Sequence, residues 1–239
     1  MFTYKGVDIF YERSGTGDKP VLLLHGWGGN GKTMYNLYRH LIAIGKTVIL
    51  PDLMGFGKSM HPTGDMDVYD YAYSMIQLLS SLGYDSCDVV GHSFGGRIGL
   101  IMASKGVVNN LVLISSAGIK PKFSLKKKIR VLRYKRAKKK GKDLSSFGSS
   151  DYKSLDENMK IILVRVVNQH LDYLLPEIKC PTLIMWGDKD KQTPLYMAKK
   201  LLKGIKGSGL VMLSGGHFAF VEDKFKTQRV LEAFLCNQA

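Results

Sequence analysis

An α/β fold, with a mostly parallel sheet covered on both faces, is predicted for this 239-residue chain by three features. Apolar runs such as Val21-Leu22-Leu23-Leu24 and Val48-Ile49-Leu50 do not alternate with polar residues, the pattern of strands buried on both faces. Segments of helical length separate these runs, so strand and helix take turns along the chain. Glycine-rich turns follow the first runs, at Gly26-Trp27-Gly28-Gly29 and at Gly55-Phe56-Gly57.

In chain order, a small hairpin about Lys5-Gly6 comes first, Phe2–Tyr4 against 7–11. Strands follow at 20–25, 47–52, 88–91, 111–115, 182–186 and 210–213, and helices at 32–44, 67–82, 95–105, 194–203 and 222–236. One interval breaks the alternation. Between Gly118 and about Lys179 no buried strand is evident, and the stretch is too long for a simple loop. It reads as an inserted helical cap. Its first helix is predicted to begin near Ser124 and to carry Leu125, Ile129 and Leu132 on one face. A second, around 155–170, carries Ile161, Ile162, Val164, Val166 and Val167. Residues 1–117 and 180–239 then form one core, and 118–179 the cap.

Composition narrows the class. A 45% hydrophobic share is ordinary for a soluble globular chain, and the length suits one sizeable core. No apolar run approaches the roughly 20 residues of a membrane span. The segment from Met1 to Gly6 has neither a basic nor an apolar leader region, so no secretory signal is expected. Cys87, Cys180 and Cys236 are few and widely spaced, forming neither a metal-ligand pattern nor a disulfide framework. A cytoplasmic location is the expectation. The formal net charge is +15, but residues 120–142 alone hold 13 Lys and Arg and no Asp or Glu. Basicity is therefore a local device of the cap.

The chemistry centres on Gly91-His92-Ser93-Phe94-Gly95, directly after the strand-like Cys87-Asp88-Val89-Val90. A serine is a poor nucleophile unless something places and deprotonates it. A tight strand-to-helix turn lifts Oγ of Ser93 clear of the backbone and aims a helix N-terminus at the reacting centre. The bare motif also occurs in ordinary turns, so its partners decide. Of six histidines, His92 lies inside the turn, His25 ends a strand, and His40, His61 and His170 accompany no motif. His217 follows Ser214-Gly215-Gly216 past the last strand, where a loop reaches the carboxyl edge of the sheet. It is the candidate base; the bland alternative is a capping or core histidine. Trp186-Gly187-Asp188-Lys189-Asp190 ends another strand and offers two acids. Asp190 is the candidate that orients His217, while Asp188 suits bracing of the turn. The position after the preceding strand, Ser115-Ser116-Ala117-Gly118, holds no carboxylate. The amides of Phe94 and Trp27 are the candidate oxyanion donors.

Taken together, His-Gly-Trp-Gly-Gly, Pro-Asp-Leu-Met-Gly-Phe-Gly-Lys-Ser, Gly-His-Ser-Phe-Gly-Gly, Trp-Gly-Asp-Lys-Asp and Gly-Gly-His-Phe resemble the α/β-hydrolase superfamily, over all of the chain except the cap. The resemblance implies an eight-stranded, mostly parallel sheet, a cap after the sixth strand, and a triad of Ser93, His217 and Asp190. Haloalkane dehalogenases and epoxide hydrolases carry Asp where this chain has Ser93, and proline iminopeptidases carry a different glycine-rich loop. The activity implied is hydrolysis of carboxylic esters or thioesters through an acyl-enzyme, with no metal or organic cofactor. Trp27, Phe94, Phe218 and Arg97 are candidate substrate contacts. Gly-Gly-Arg turns like that at Arg97 also occur in carbon–carbon-bond hydrolases and in an elimination enzyme of menaquinone synthesis, which act on carboxylated substrates. That alternative stays open, as does a non-enzymatic ligand- or membrane-binding protein on the same scaffold. For the basic cap four readings stand: a solvated face, recognition of an anionic substrate, docking on an anionic membrane surface, and nucleic acid. The last has no groove-reading motif behind it, and no specific nucleic acid is expected. The apolar strip under the lysines has its own plain reading, packing of the cap onto the core.

Overall fold

The computed structural model describes residues 1–122, 129, 132–133, 136–137, 139, 152 and 155–236. Strands β1 (Phe2–Tyr4) and β2 (Val7–Ile9) pair as a separate antiparallel hairpin. Strand β3 (Tyr11–Ser14) enters the main sheet, followed in the chain by β4 (Val21–Leu24), β5 (Val48–Pro51), β6 (Cys87–His92), β7 (Val108–Ile114), β8 (Thr182–Gly187) and β9 (Gly209–Leu213). The spatial order is β3-β5-β4-β6-β7-β8-β9, with β3 antiparallel to β5 and every other pair parallel.

The expected eight-stranded sheet is thus corrected to seven strands plus a detached hairpin. The break falls at Phe10. Its amide donates to Oγ of Ser59, and its carbonyl accepts from Asp52 N, so the chain turns out of the hairpin before joining β5. The interval read as a cap follows the expected strand, here β7; its place in chain order becomes seventh because the stretch 7–11 divides between β2 and β3.

Helices α1 (Tyr35–Ala43), α2 (Val68–Ser81), α3 (Phe94–Ser104), α4 (Glu157–Asn168), α5 (Tyr196–Gly204), α6 (Ala219–Glu222) and α7 (Lys224–Cys236) flank the sheet. They explain why the strands lack alternation. Leu22 and Leu24 face a core shared with α2, α3, α4 and α5, whereas Val21 and Leu23 face a second core shared with α1, α6 and α7. The strands from β4 to β8 therefore bury both faces, and apolar residues fill both sets of positions, whereas the edge strands β3 and β9 are only partly covered.

Within the interval between β7 and β8, the described residues include α4, a 3-10 turn, Asp172–Glu177, and single helical positions between 129 and 152. Ser124 and Leu125, and with them the expected start of a first cap helix, lie outside the described residues. Ile129 and Leu132 are helical but exposed, so for these two the core-packing expectation is not met.

The parallel order reverses between β4 and β6. The chain leaves β4 for β5 on one side, then crosses back to β6 on the other. A doubly wound sheet opens a crevice at such a point, outside the carboxyl ends of the strands.

Candidate active site

Both chain segments that flank this crevice are glycine-rich. Strand β6 is buried throughout and ends at His92; Ser93 follows at φ 51°, ψ −104°, and α3 starts at once with Phe94. A positive φ on a residue with a Cβ costs of order 1–3 kcal/mol and persists only where the surroundings hold it. Here Ser93 N donates to the Ile114 carbonyl at 3.0 Å, and the Ser93 carbonyl accepts from Gly96 N at 3.1 Å and Ala117 N at 3.0 Å. Glycine is required on either side. A Cβ at Gly95 would strike the Leu24 carbonyl, and one at Gly91 would lie 2.5 Å from the Gly95 carbonyl oxygen. The loop after β4 closes on the same turn: Gly95 N donates to the His25 carbonyl at 3.1 Å, and a Cβ on Gly26 would stand 3.4 Å from that of Ser93.

His25 and His92 are structural. Leu53 N donates to Nε2 of His25 at 2.9 Å, so Nδ1 carries the proton and donates to the Gly26 carbonyl at 2.8 Å. Nε2 of His92 donates to the His217 carbonyl at 2.9 Å. Burial pushes His25 down to about 4 and His92 to about 3, the latter with help from the neighbouring His217. Both rings stay neutral and act as pins between loops.

Two further loops meet at the carboxyl ends of β8 and β9. Asp188 N donates to the Leu213 carbonyl, Lys189 N to the Gly215 carbonyl, and Gly215 N returns a bond to Oδ1 of Asp188 at 2.9 Å. Asp188 braces this junction. Asp190 and His217 then face each other, with Nδ1 of His217 2.9 Å from Oδ2 of Asp190 and both side chains buried. Oδ1 of Asp190 accepts from the amides of Gln192 and Thr193, at 2.8 and 2.9 Å. Oδ2 accepts from Oγ1 of Thr193 as well, at 2.7 Å. Burial alone would push this carboxyl up; hydrogen bonds from His217, from the Thr193 side chain and from the Thr193 amide outweigh it and leave Asp190 at about 2. It is an anion across the working pH range.

Thr193 is the residue that sequence reasoning passed over. Its hydroxyl lies within 2.7 Å of Asp190, 3.1 Å of the Ser115 carbonyl and 3.3 Å of Nδ1 of His217. Its one sequence signal is its place directly before Pro194, a common helix start.

The aromatic expectations divide. Phe94 is buried and Trp27 half-buried, and their rings pack edge-on at 5.1 Å beside Ser93. Phe218 is 47% exposed, 5.0 Å from His92 and 5.6 Å from His217, at the rim of the crevice. The Phe94 amide heads α3, and among the described residues neither it nor the Trp27 amide is spent on a carbonyl. Arg97 departs from expectation. It is 7% exposed, and its Nη1 donates to the carbonyls of Val166 at 2.8 Å and Gln169 at 2.6 Å, at the C-terminus of α4. Its assignment as a substrate contact is corrected to a clamp between α3 and α4, favoured by the negative end of the α4 dipole. Gln169 extends the clamp to the start of α2, through Val68 N and Oδ2 of Asp67.

The profile of the family described as alpha/beta hydrolase fold matches residues 19–161. The chain is 29% identical to a serine hydrolase, BPHL, of Homo sapiens over 239 residues, 91% of this chain and 80% of that protein. It is 28% identical to Lipase 1 of Psychrobacter immobilis, over 95% of this chain and 80% of the relative. A solved esterase from Exiguobacterium antarcticum superposes with a TM-score of 0.78 at 24% identity, covering 96% of each chain.

Proposed function

The chain belongs to the α/β-hydrolase family, and from that premise we propose that it is a serine hydrolase cleaving carboxylic esters or thioesters through an acyl-enzyme on Ser93. One observation carries the reading. A serine held in a strained turn at the switch point of the sheet shares that edge with a buried His–Asp pair 2.9 Å apart. The named relatives, a serine hydrolase and a lipase, point the same way.

The roles follow from the chemistry of each group. Nε2 of His217 takes the proton from Oγ of Ser93 as Oγ bonds to the substrate carbonyl carbon, and the carbonyl electron pair moves onto oxygen. The amides of Trp27 and Phe94 hold that oxyanion; removing one such donor costs on the order of 10²–10³ in rate. The tetrahedral adduct collapses, the leaving alcohol or thiol takes the proton from His217, and the acyl group stays on Ser93. Water then repeats the sequence, freeing the carboxylic acid and restoring Ser93. Asp190 fixes the tautomer of His217 and stabilises its imidazolium. Trp27, Phe94 and Phe218 supply an apolar wall for the acyl chain. The carbon–carbon-cleavage alternative drew on Arg97, whose Nη1 is committed to the cap backbone, and the ester reading is therefore preferred.

Hydrolysis of p-nitrophenyl esters from acetate to palmitate, by wild type and by Ser93→Ala, tests the assignment. Turnover by wild type with a loss of at least about 10³-fold in the variant is the expected result. Folded wild type without turnover, or a variant as active as wild type, overturns it.

A further inference from the structure

Four described residues of the basic run share a pattern that neither the hydrolytic site nor the core absorbs. Ile129, Leu132, Arg133 and Arg136 are helical, exposed and spaced by three or four, and Lys139 follows three residues on. At 100° per residue these five positions fall on one face. The face is mixed: two large aliphatic side chains, 55% and 47% exposed, stand beside three cations and no acid.

Each simpler use of such a face fails on one of these facts. A strip that packs the cap onto the core would bury Ile129 and Leu132. A face serving only solubility has no use for two exposed aliphatics at its centre. Recognition of a small anionic substrate needs cations turned into the crevice, whereas Arg133, Arg136 and Lys139 are exposed to solvent. A lipid headgroup layer uses both halves of the pattern, since cations meet the phosphates while aliphatic side chains enter the acyl boundary. Charge complementarity points the same way: residues 120–142 supply 13 of the chain's 15 net positive charges. Helix α4, also in the cap, presents a second exposed aliphatic row in Ile161, Val164 and Val167. Among the described residues no helix is long and apolar enough to cross a membrane, so the contact considered is peripheral.

We propose that the cap docks on an anionic phospholipid surface through the face formed by Ile129, Leu132, Arg133, Arg136 and Lys139. The cations provide long-range attraction that salt screens beyond about 10 Å at 0.1 M. The two aliphatics provide a short-range contribution that salt leaves in place. Docking holds the cap at the lipid boundary and favours ester substrates drawn from it. That last step rests on the hydrolase reading, but docking itself does not.

Co-sedimentation with phosphatidylcholine vesicles, with and without 30 mole per cent phosphatidylglycerol, tests the proposal at low and high salt. The Ser93→Ala protein serves as well as wild type, so failure of the ester reading leaves this test standing. Expected is binding to the anionic vesicles alone, weakened at least tenfold in 0.5 M NaCl. The triple reversal R133E/R136E/K139E should lower it at least tenfold, and I129N/L132N should lower it severalfold with every cation in place. Both variants should keep wild-type turnover of a soluble short-chain ester, since none of these side chains belongs to the hydrolytic site. Absence of binding to anionic vesicles overturns the proposal. So does an I129N/L132N variant that binds like wild type while double-stranded DNA and polyglutamate are bound as tightly as the vesicles; the run would then be a general polyanion binder.

Discussion

His25 and His92, on the loops after β4 and β6, contrast with His217, on the loop after β9. All three rings are buried, so burial does not separate them. Their partners do. His25 and His92 hydrogen-bond only with backbone amides and carbonyls, which compensate the charged form too little, and burial drives them to about 4 and 3. His217 meets a carboxylate that two amides and a hydroxyl keep ionised at about 2. The same side chain is thus a neutral pin on one side of the crevice and a candidate proton carrier on the other. What makes the difference is one acid, together with the groups that hold that acid charged.

The most direct way to erase the contrast is Asp190→Asn. The amide is neutral and nearly isosteric. It turns His217 into a histidine of the first kind, buried with no anion, and it favours the wrong tautomer at Nδ1. Loss of kcat on an aryl ester should be on the order of 10²–10⁴, with the fold retained. Steady-state kinetics alongside circular dichroism checks this. A variant keeping more than a tenth of wild-type kcat would show that the pair does not drive the chemistry.

The pins give a second prediction, for stability rather than rate. Their folded pKa values lie below the ordinary histidine value of 6.5, so the unfolded chain binds more protons as pH falls. Their contribution is fully present above about pH 6.5 and is lost as pH falls toward 4. Between about pH 6 and 4 these two rings together should lower the unfolding free energy by about 2–3 kcal/mol per pH unit. Asp190, depressed from 3.8 to about 2, adds a loss only below about pH 4. Urea unfolding at several pH values measures the slope. His25→Asn should be less stable at pH 7 but show about half the slope; an unchanged slope would mean that His25 is not the titrating pin.

The two histidine environments were unequally visible in the sequence. Strands announced themselves because both faces are buried, so Val21–Leu24 and Val48–Pro51 read as unbroken apolar runs. Ser93, Asp190 and His217 are singled out in the sequence because each follows a strand and sits among glycines. The break at Phe10 was not legible, since it depends on Ser59 and Asp52, more than 40 residues away. Arg97 was misread for the same reason: its acceptors are carbonyls 69 and 72 residues later, and a backbone carbonyl leaves no mark on sequence. Thr193 was legible only as the residue before Pro194, a common helix-start signal, and α5 does begin at Tyr196. Its second use, as a donor to Asp190, appears once the turn is built.

That second use supplies the subtlest way to sharpen the contrast. Oδ2 of Asp190 is shared by Nδ1 of His217 and Oγ1 of Thr193. The hydroxyl stabilises the carboxylate charge and so tempers its pull on an imidazolium. Thr193→Val keeps the shape and removes the donor, at a net cost of about 1 kcal/mol for one hydrogen bond. Oδ2 of Asp190 then loses one of its two donors and is held less firmly against Nδ1 of His217. Near neutrality kcat should fall about three- to tenfold with KM unchanged, and Thr193→Ser should restore the rate. A purely structural threonine would lower thermal stability and leave kcat where it was. The split between kcat and KM, with rescue by serine, therefore separates a positioning role from simple packing, and it asks whether one hydroxyl helps to keep His217 unlike His25 and His92.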